Sequence, residues 1–253
     1  SYNVAQCNHI HNIGTINIGD RVTFTCDTGT SMCAHIKNAV GINVENSNAN
    51  HAIDSDLLNT GTINVGGINS IGMRISGALG NSDSTGKFIG NTGTINVFGI
   101  NSAGIVALKG AVVHNKGSII VNDSGTGIDS YSMYGNYGIR AEENAKVYVD
   151  GPISLDGNNA IGVFARLGAT VHMKNISSVG ANNGKEHQIH YWISGRNIIS
   201  GTTSSIIFDD TVGNPNQTNE LVLKNNKSTI FRIDNGASFG ESASGNNNQN
   251  FKF

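Results

Sequence analysis

Charge, proline and long apolar runs are what this chain has least of. Its 253 residues include 2 Pro, 3 Cys and 1 Trp, and only 13% are charged. That charged share is about half the ordinary one for a globular domain, so the polar surface must be amide and hydroxyl rather than ionic. The net charge is −2. Residues 1–159 carry 8 Lys or Arg against 12 Asp or Glu, and residues 160–253 carry 8 against 6. This mildly basic far half suits a sulfated or sialylated glycan at most; nucleic acid is excluded as a partner, because it needs clustered positive charge over a large face. No run of about 18 apolar residues exists to span a bilayer, and the first residues, Ser1-Tyr2-Asn3-Val4, have neither the basic segment nor the apolar core of a signal peptide. Apolar spacing of three and four residues is nowhere sustained, so long helices are not expected.

What is present is repetition. Asn59-Thr60-Gly61-Thr62-Ile63-Asn64-Val65 returns as Asn91-Thr92-Gly93-Thr94-Ile95-Asn96-Val97, with weaker copies at 12–18 and 115–121. The leading glycines, Gly14, Gly61, Gly93 and Gly117, lie 47, 32 and 24 residues apart. Such spacing is irregular for a propeller blade and natural for a coil whose loops vary. Within each copy an Asn-x-Gly turn signal precedes alternating residues, so β-branched side chains share one face of a strand and polar ones the other. A second module, Gly67-Ile68-Asn69-Ser70-Ile71-Gly72-Met73, matches Gly99-Ile100-Asn101-Ser102-Ala103-Gly104-Ile105. Looser relatives of it occur at 136–140 and 159–163, and Gly110-Ala111-Val112-Val113 and Gly168-Ala169-Thr170-Val171-His172 add a third short strand. Three short strands per turn predict an all-β fold, a right-handed, single-stranded, three-sided parallel β-helix. The 33 Gly serve turns, and recurrent Asn can stack as hydrogen-bonded ladders at a repeated corner. Disordered Gly/Asn tracts would lack the periodic Ile and Val.

With about 20 to 25 residues per coil stacked at roughly 4.8 Å, residues 1–253 make one rod of about ten coils and about 50 Å. Asn250-Phe251-Lys252-Phe253 reads as the start of another strand, which makes the sequence a fragment truncated at its C-terminal end. Cys26 and Cys33 bracket a turn-rich loop and are expected to form a disulfide in an oxidising compartment. Cys7, His9 and His11 share one face of a predicted strand. They read as wet-face residues rather than a zinc site, because no second ligand cluster accompanies them. Neither a metal nor a cofactor is expected.

Catalysis is the competing reading, because this scaffold carries glycan-cleaving enzymes with gathered carboxylates. Asp209-Asp210 and Glu142-Glu143 are the adjacent acidic pairs. Neighbours in a strand point to opposite faces and cannot share a substrate without a bend. No Gly-x-Ser-x-Gly, phosphate-binding loop or zinc-protease helix is present. The sequence therefore points away from an enzyme.

Function is sought where the repeat breaks, because a uniform coil is scaffold and its insertions are free to vary. The segments near 181–196 and 209–220 read as irregular or loop-bearing. The first holds His187, His190, Tyr191, Trp192 and Arg196, residue types that dominate binding hot spots and sugar stacking. These five are the candidate ligand-binding residues; the alternative is an irregular coil whose aromatics fill the core. Tyr131, Tyr134 and Tyr137 form a third aromatic group, and His114 and His172 read as surface or cap residues.

The succession Gly-Thr-Ile-Asn-Val, Gly-Ile-Asn-Ser-x-Gly-Ile, Gly-Ala-x-Val-x-Asn-x-Gly-x-Ile, as in 93–117, resembles the passenger region of bacterial autotransporters, particularly the AIDA-like adhesins. The resemblance covers about residues 10–175 well and the rest loosely. It implies a β-helical rod at the bacterial cell surface or secreted, exported through a C-terminal outer-membrane barrel that these residues do not include. The implied work is attachment, aggregation or biofilm formation. Its partners would be a host-cell glycan, an extracellular-matrix protein, or the same protein on neighbouring cells. Three cysteines depart from that pattern, and the competing roles are a glycan-cleaving enzyme or the stalk of a secreted toxin or protease.

Overall fold

The computed structural model describes residues 10–19, 36–45, 57–77, 89–122, 135–174, 179–181, 184–195, 201–208 and 227–234, with the backbone of 219–220 and 251–252. Its strands fall into threes. The first coil is β1 (Ile10–Asn12), β2 (Thr15–Ile18) and β3 (Val40–Glu45). The second is β4 (Leu57–Asn59), β5 (Thr62–Val65) and β6 (Ile71–Ser76), and the third is β7 (Ile89–Asn91), β8 (Thr94–Val97) and β9 (Ala103–Leu108). The fourth holds β10 (Val112–Asn115), β11 (Ser118–Val121) and β12 (Tyr137–Ala141), and the fifth β13 (Lys146–Val149), β14 (Ile153–Leu155) and β15 (Ile161–Arg166). β16 (Thr170–Met173), β17 (Val179–Ala181) and β18 (Ile189–Ser194) make the sixth; β19 (Ser205–Phe208) and β21 (Thr229–Asp234) begin and end the seventh. Every third strand pairs in parallel, giving three sheets in the order β1-β4-β7-β10-β13-β16-β19, β2-β5-β8-β11-β14-β17 and β3-β6-β9-β12-β15-β18-β21. This is a three-sided parallel β-helix. Paired positions lie between 24 (Thr94 and Ser118) and 47 residues apart (Ile16 and Ile63), more than the 20 to 25 read from the sequence for most coils. β20 (Asn219–Glu220) pairs in parallel with β22 (Phe251–Lys252), so the last residues do form strand.

The register explains the repeats. Ile16, Ile63, Ile95, Ile119, Ile153 and Val179 form one inward column of the second sheet. From Ile63 to Ile153 they are essentially inaccessible, and a single core runs the length of the stack. The opposite side of that sheet is polar: Asn96 Nδ2 donates to Asn64 Oδ1, and Asn64 Nδ2 to Asn17 Oδ1, both at 2.8 Å.

A second asparagine ladder is buried at the corner between the first and second sheets. Asn12 Nδ2 donates to Asn59 Oδ1 and Asn59 Nδ2 to Asn91 Oδ1 at 2.7 Å, and Asn91 Nδ2 to Asn115 Oδ1 at 2.8 Å. Beside it the backbone turns through Gly61, Gly93, Gly117 and Gly151, where an added Cβ would lie 2.0 Å from the carbonyl oxygen of the preceding coil. Coils approach too closely there for any side chain. At the fifth coil Pro152 has no N–H for the bond that Thr62, Thr94 and Ser118 make to Gly14, Gly61 and Gly93. The Asn115 amide donates to Gly117 O at 3.0 Å instead, and the ladder gives way to Val149.

Candidate functional site

Outward residues of the third sheet differ from the Asn and Thr of the second. One column reads Asn43, Arg74, Val106, Arg140, Phe164, Trp192, Arg232; beside it Glu45, Ser76 and Leu108 align in the early coils and Arg166, Ser194 and Asp234 in the late ones, with Glu142 just past the end of β12. All four arginines among the described residues, Arg74, Arg140, Arg166 and Arg232, stand on this face. Ala103, Val106, Tyr137, Ile161 and Phe164 form an apolar cluster there, separate from the interior core.

Electrostatics tie the face together across coils. Glu142 is buried and held by Arg140 Nη2 and Arg166 Nη2, each at 2.7 Å. Burial works to raise its pKa, but hydrogen bonds and charge from Arg166 and Arg140 outweigh it and hold the carboxyl below its usual range. The guanidiniums in turn lie over rings, Arg140 at 5.2 Å from the Tyr137 centroid and Arg166 at 5.7 Å from that of Phe164. Glu143, its sequence neighbour, sits in a left-handed turn at φ 55°. Glu142 is thus committed to Arg140 and Arg166, and Asp209 and Asp210 lie outside the described residues.

The segment near 181–196 is more regular than its composition suggests. Ile189–Ser194 is an ordinary strand, paired with β15 on one side and β21 on the other. Strand alternation then splits the predicted ligand-binding residues, and two of them are corrected. Tyr191 is fully buried, stacked on Phe231 at 5.4 Å and edge-on to Phe208 at 5.2 Å. Burial pushes its hydroxyl pKa up, against the opposing effect of a hydrogen bond to the Val179 backbone. His190 is also buried, and among the described residues neither ring nitrogen has a hydrogen-bond partner. It follows Gly72, Gly104, Gly138 and Gly162 near the start of the third-sheet strands, where each glycine's added Cβ would crowd the next coil's carbonyl. Desolvation there pushes the imidazole down to about 4. Neither side chain is available to an external ligand.

Trp192 points outward, but as a member of a stack. Phe164 lies on the preceding coil with ring centroids 4.4 Å apart, and the Arg232 guanidinium lies 4.3 Å from the indole centroid on the following coil. Its Nε1 donates to Asp234 Oδ1 at 2.8 Å. Both indole faces are engaged, which leaves the ring edge rather than a free stacking platform. His187 is exposed. Arg196, Cys7, Cys26, Cys33, His9, Tyr131 and Tyr134 lie outside the described residues.

Trp192 and His187 do meet, in a cleft of about 210 Å³ that Lys227, Arg232 and Asn159 also line. Lys227 and Arg232 were not singled out from sequence. The alternating Thr229-Ile230-Phe231-Arg232-Ile233-Asp234 marks a strand, but 40 residues separate Ile189 from its partner Thr229 and hide the register. Lys227 Nζ pairs with Glu186 Oε2 at 2.9 Å, and that hydrogen bond holds the Glu186 carboxyl below its usual value.

On the first sheet, His114 and His172 flank Tyr148 in an outward stack, with centroids 4.8 Å apart on either side. His11, one of three residues weighed as metal ligands, lies 3.0 Å through Nε2 from Thr60 Oγ1. No group of three potential metal-ligating residues occurs among the described residues. No protein-family model matches the chain, and no curated protein or solved structure shows significant similarity to it.

Proposed function

We propose that this chain is the β-helical passenger of a bacterial surface adhesin. On this reading it binds host-cell glycan, matrix protein or its own copies on neighbouring cells, at the outer membrane or after release. The observation that supports the reading is the contrast between faces of one rod. The second carries Asn and Thr through its first three coils, whereas the third carries the partly exposed Trp192, four arginines and a cleft. Adhesion needs a few accessible aromatic and arginine anchors on an extended scaffold, and many copies on one cell multiply weak contacts.

The test is attachment and aggregation of cells displaying the chain. Trp192→Ala with Arg232→Ala is expected to remain folded by circular dichroism and to weaken monovalent binding by about thirtyfold, corresponding to a hot-spot loss of about 2 kcal/mol. Asn64→Ala with Asn96→Ala on the second face should leave attachment intact. Full attachment by the third-face variant refutes the assignment of the face. Tyr191 is unsuitable for this test because its removal empties the core.

A further inference from the structure

The corner leading into the third sheet is built around a residue in left-handed backbone in six of the seven coils, the fourth having Gly135 there instead. Asn38, Asn69, Asn101 and Asn159 occupy it with φ of 56°, 53°, 51° and 56°. Asparagine tolerates this region better than most residues. In the sixth and seventh coils the position passes to His187, at φ 57°, and Lys227, at φ 56°. A residue held in disfavoured backbone is a pointer to use. Both side chains line the cleft together with Arg232, so successive coils deliver three basic groups to one opening beside Ile161, Ile189 and the Trp192 edge.

The protein's own carboxylate marks where an anion fits. Glu186 Oε2 lies 2.9 Å from Lys227 Nζ and 3.9 Å from His187 Nε2, on a side chain that is 43% exposed and able to swing into solvent. We propose that the cleft receives an acidic sugar residue, its carboxylate or sulfate replacing Glu186 Oε2 between Lys227 and His187 and its ring lying against Ile189 and the Trp192 edge amid a polar lining. This names the ligand class for the adhesive reading above and rests on it. An acidic peptide fits less well. β18 is hydrogen-bonded to both β15 and β21, so its own backbone offers a peptide nothing to join; β21 ends the sheet among the described residues, and a poly-glutamate probe tests that edge.

The experiment measures binding of the purified 253-residue chain to a uronic-acid disaccharide, a sulfated disaccharide, a neutral disaccharide of the same linkage and a poly-glutamate peptide. At least one acidic sugar should bind about tenfold more tightly than the neutral one, as expected for two ion pairs near the surface, and the two acidic probes separate carboxylate from sulfate recognition. Glu186→Gln removes the internal competitor and should strengthen acidic-sugar binding by about two- to fivefold while leaving the neutral sugar unchanged. His187→Asn with Lys227→Asn should abolish the discrimination. Because asparagine suits the corner, the same variant should melt no lower than the parent, which separates a lost site from a damaged fold.

Equal binding of acidic and neutral sugars, weaker binding by Glu186→Gln, or poly-glutamate binding as tight as the sugars would overturn the proposal. The attachment assay keeps the two readings apart. Discrimination by the purified chain without any effect of the His187/Lys227 variant on attachment sinks the adhesive role alone. Attachment that depends on the third face without acidic-sugar discrimination sinks this inference alone.

Discussion

Replacing asparagines in the buried corner ladder tests the fold's least common interaction. Asn59 and Asn91 are fully inaccessible. With Asn91→Val, Asn59 Nδ2 loses its 2.7 Å acceptor and keeps only Gly61 O at 3.3 Å, while Asn115 Oδ1 loses its donor. With Asn59→Val, Asn12 Nδ2 and Asn91 Oδ1 are stranded in the same way. Each orphaned group costs about 1–3 kcal/mol, partly offset by the valine's own burial, so either single change should destabilise by about 2–4 kcal/mol. The double variant strands only Asn12 Nδ2 and Asn115 Oδ1, because the facing pair has gone together. Its cost should equal that of one single change rather than the sum, a coupling of about 2 kcal/mol or more. Urea unfolding followed by circular dichroism measures the cycle. Amide exchange over 57–65 and 89–97 supplies a local reading, since a solenoid can open by parts. Additive costs would show that the amides do not depend on one another and would refute the ladder as a cooperative element.

Two further outcomes follow from core and corner. Gly93→Ala places a Cβ 2.0 Å from Gly61 O, and Ile95→Asp puts an unpaired charge at an inaccessible position. Each should cost several kcal/mol of the order of 4. Gly14→Ala, with nothing within 4 Å, should melt like the parent, and a similar loss at Gly14 would refute the close-approach argument. His190 has a folded pKa lowered from 6.5 to about 4, so the unfolded chain binds the extra proton. Its contribution is complete above pH 6.5 and is lost as pH falls towards 4, by about 3 kcal/mol. Urea midpoints at pH 7.5 and 4.5 measure this, and His190→Asn should flatten that part of the profile; an unchanged slope would mean His190 is not the group responsible.

The sequence by itself determined the scaffold. Period-two alternation in Thr62-Ile63-Asn64-Val65 and its copies needs only strand geometry to assign inside and outside. The Asn-x-Gly corner needs only the knowledge that stacked turns leave no room for a Cβ. Tertiary structure decided what the alternation in Ile189-His190-Tyr191-Trp192 meant, because a register shift of one residue exchanges core for surface. Tyr191 lies inside because it aligns with Val163 and Phe231, and Trp192 lies outside because it aligns with Phe164 and Arg232. Composition could gather His187, His190, Tyr191 and Trp192 as a group, but it could not sort them. It could not bring Lys227 and Arg232 to the same cleft either, because a loop of variable length erases the spacing from which register is read, and only pairing between coils restores it.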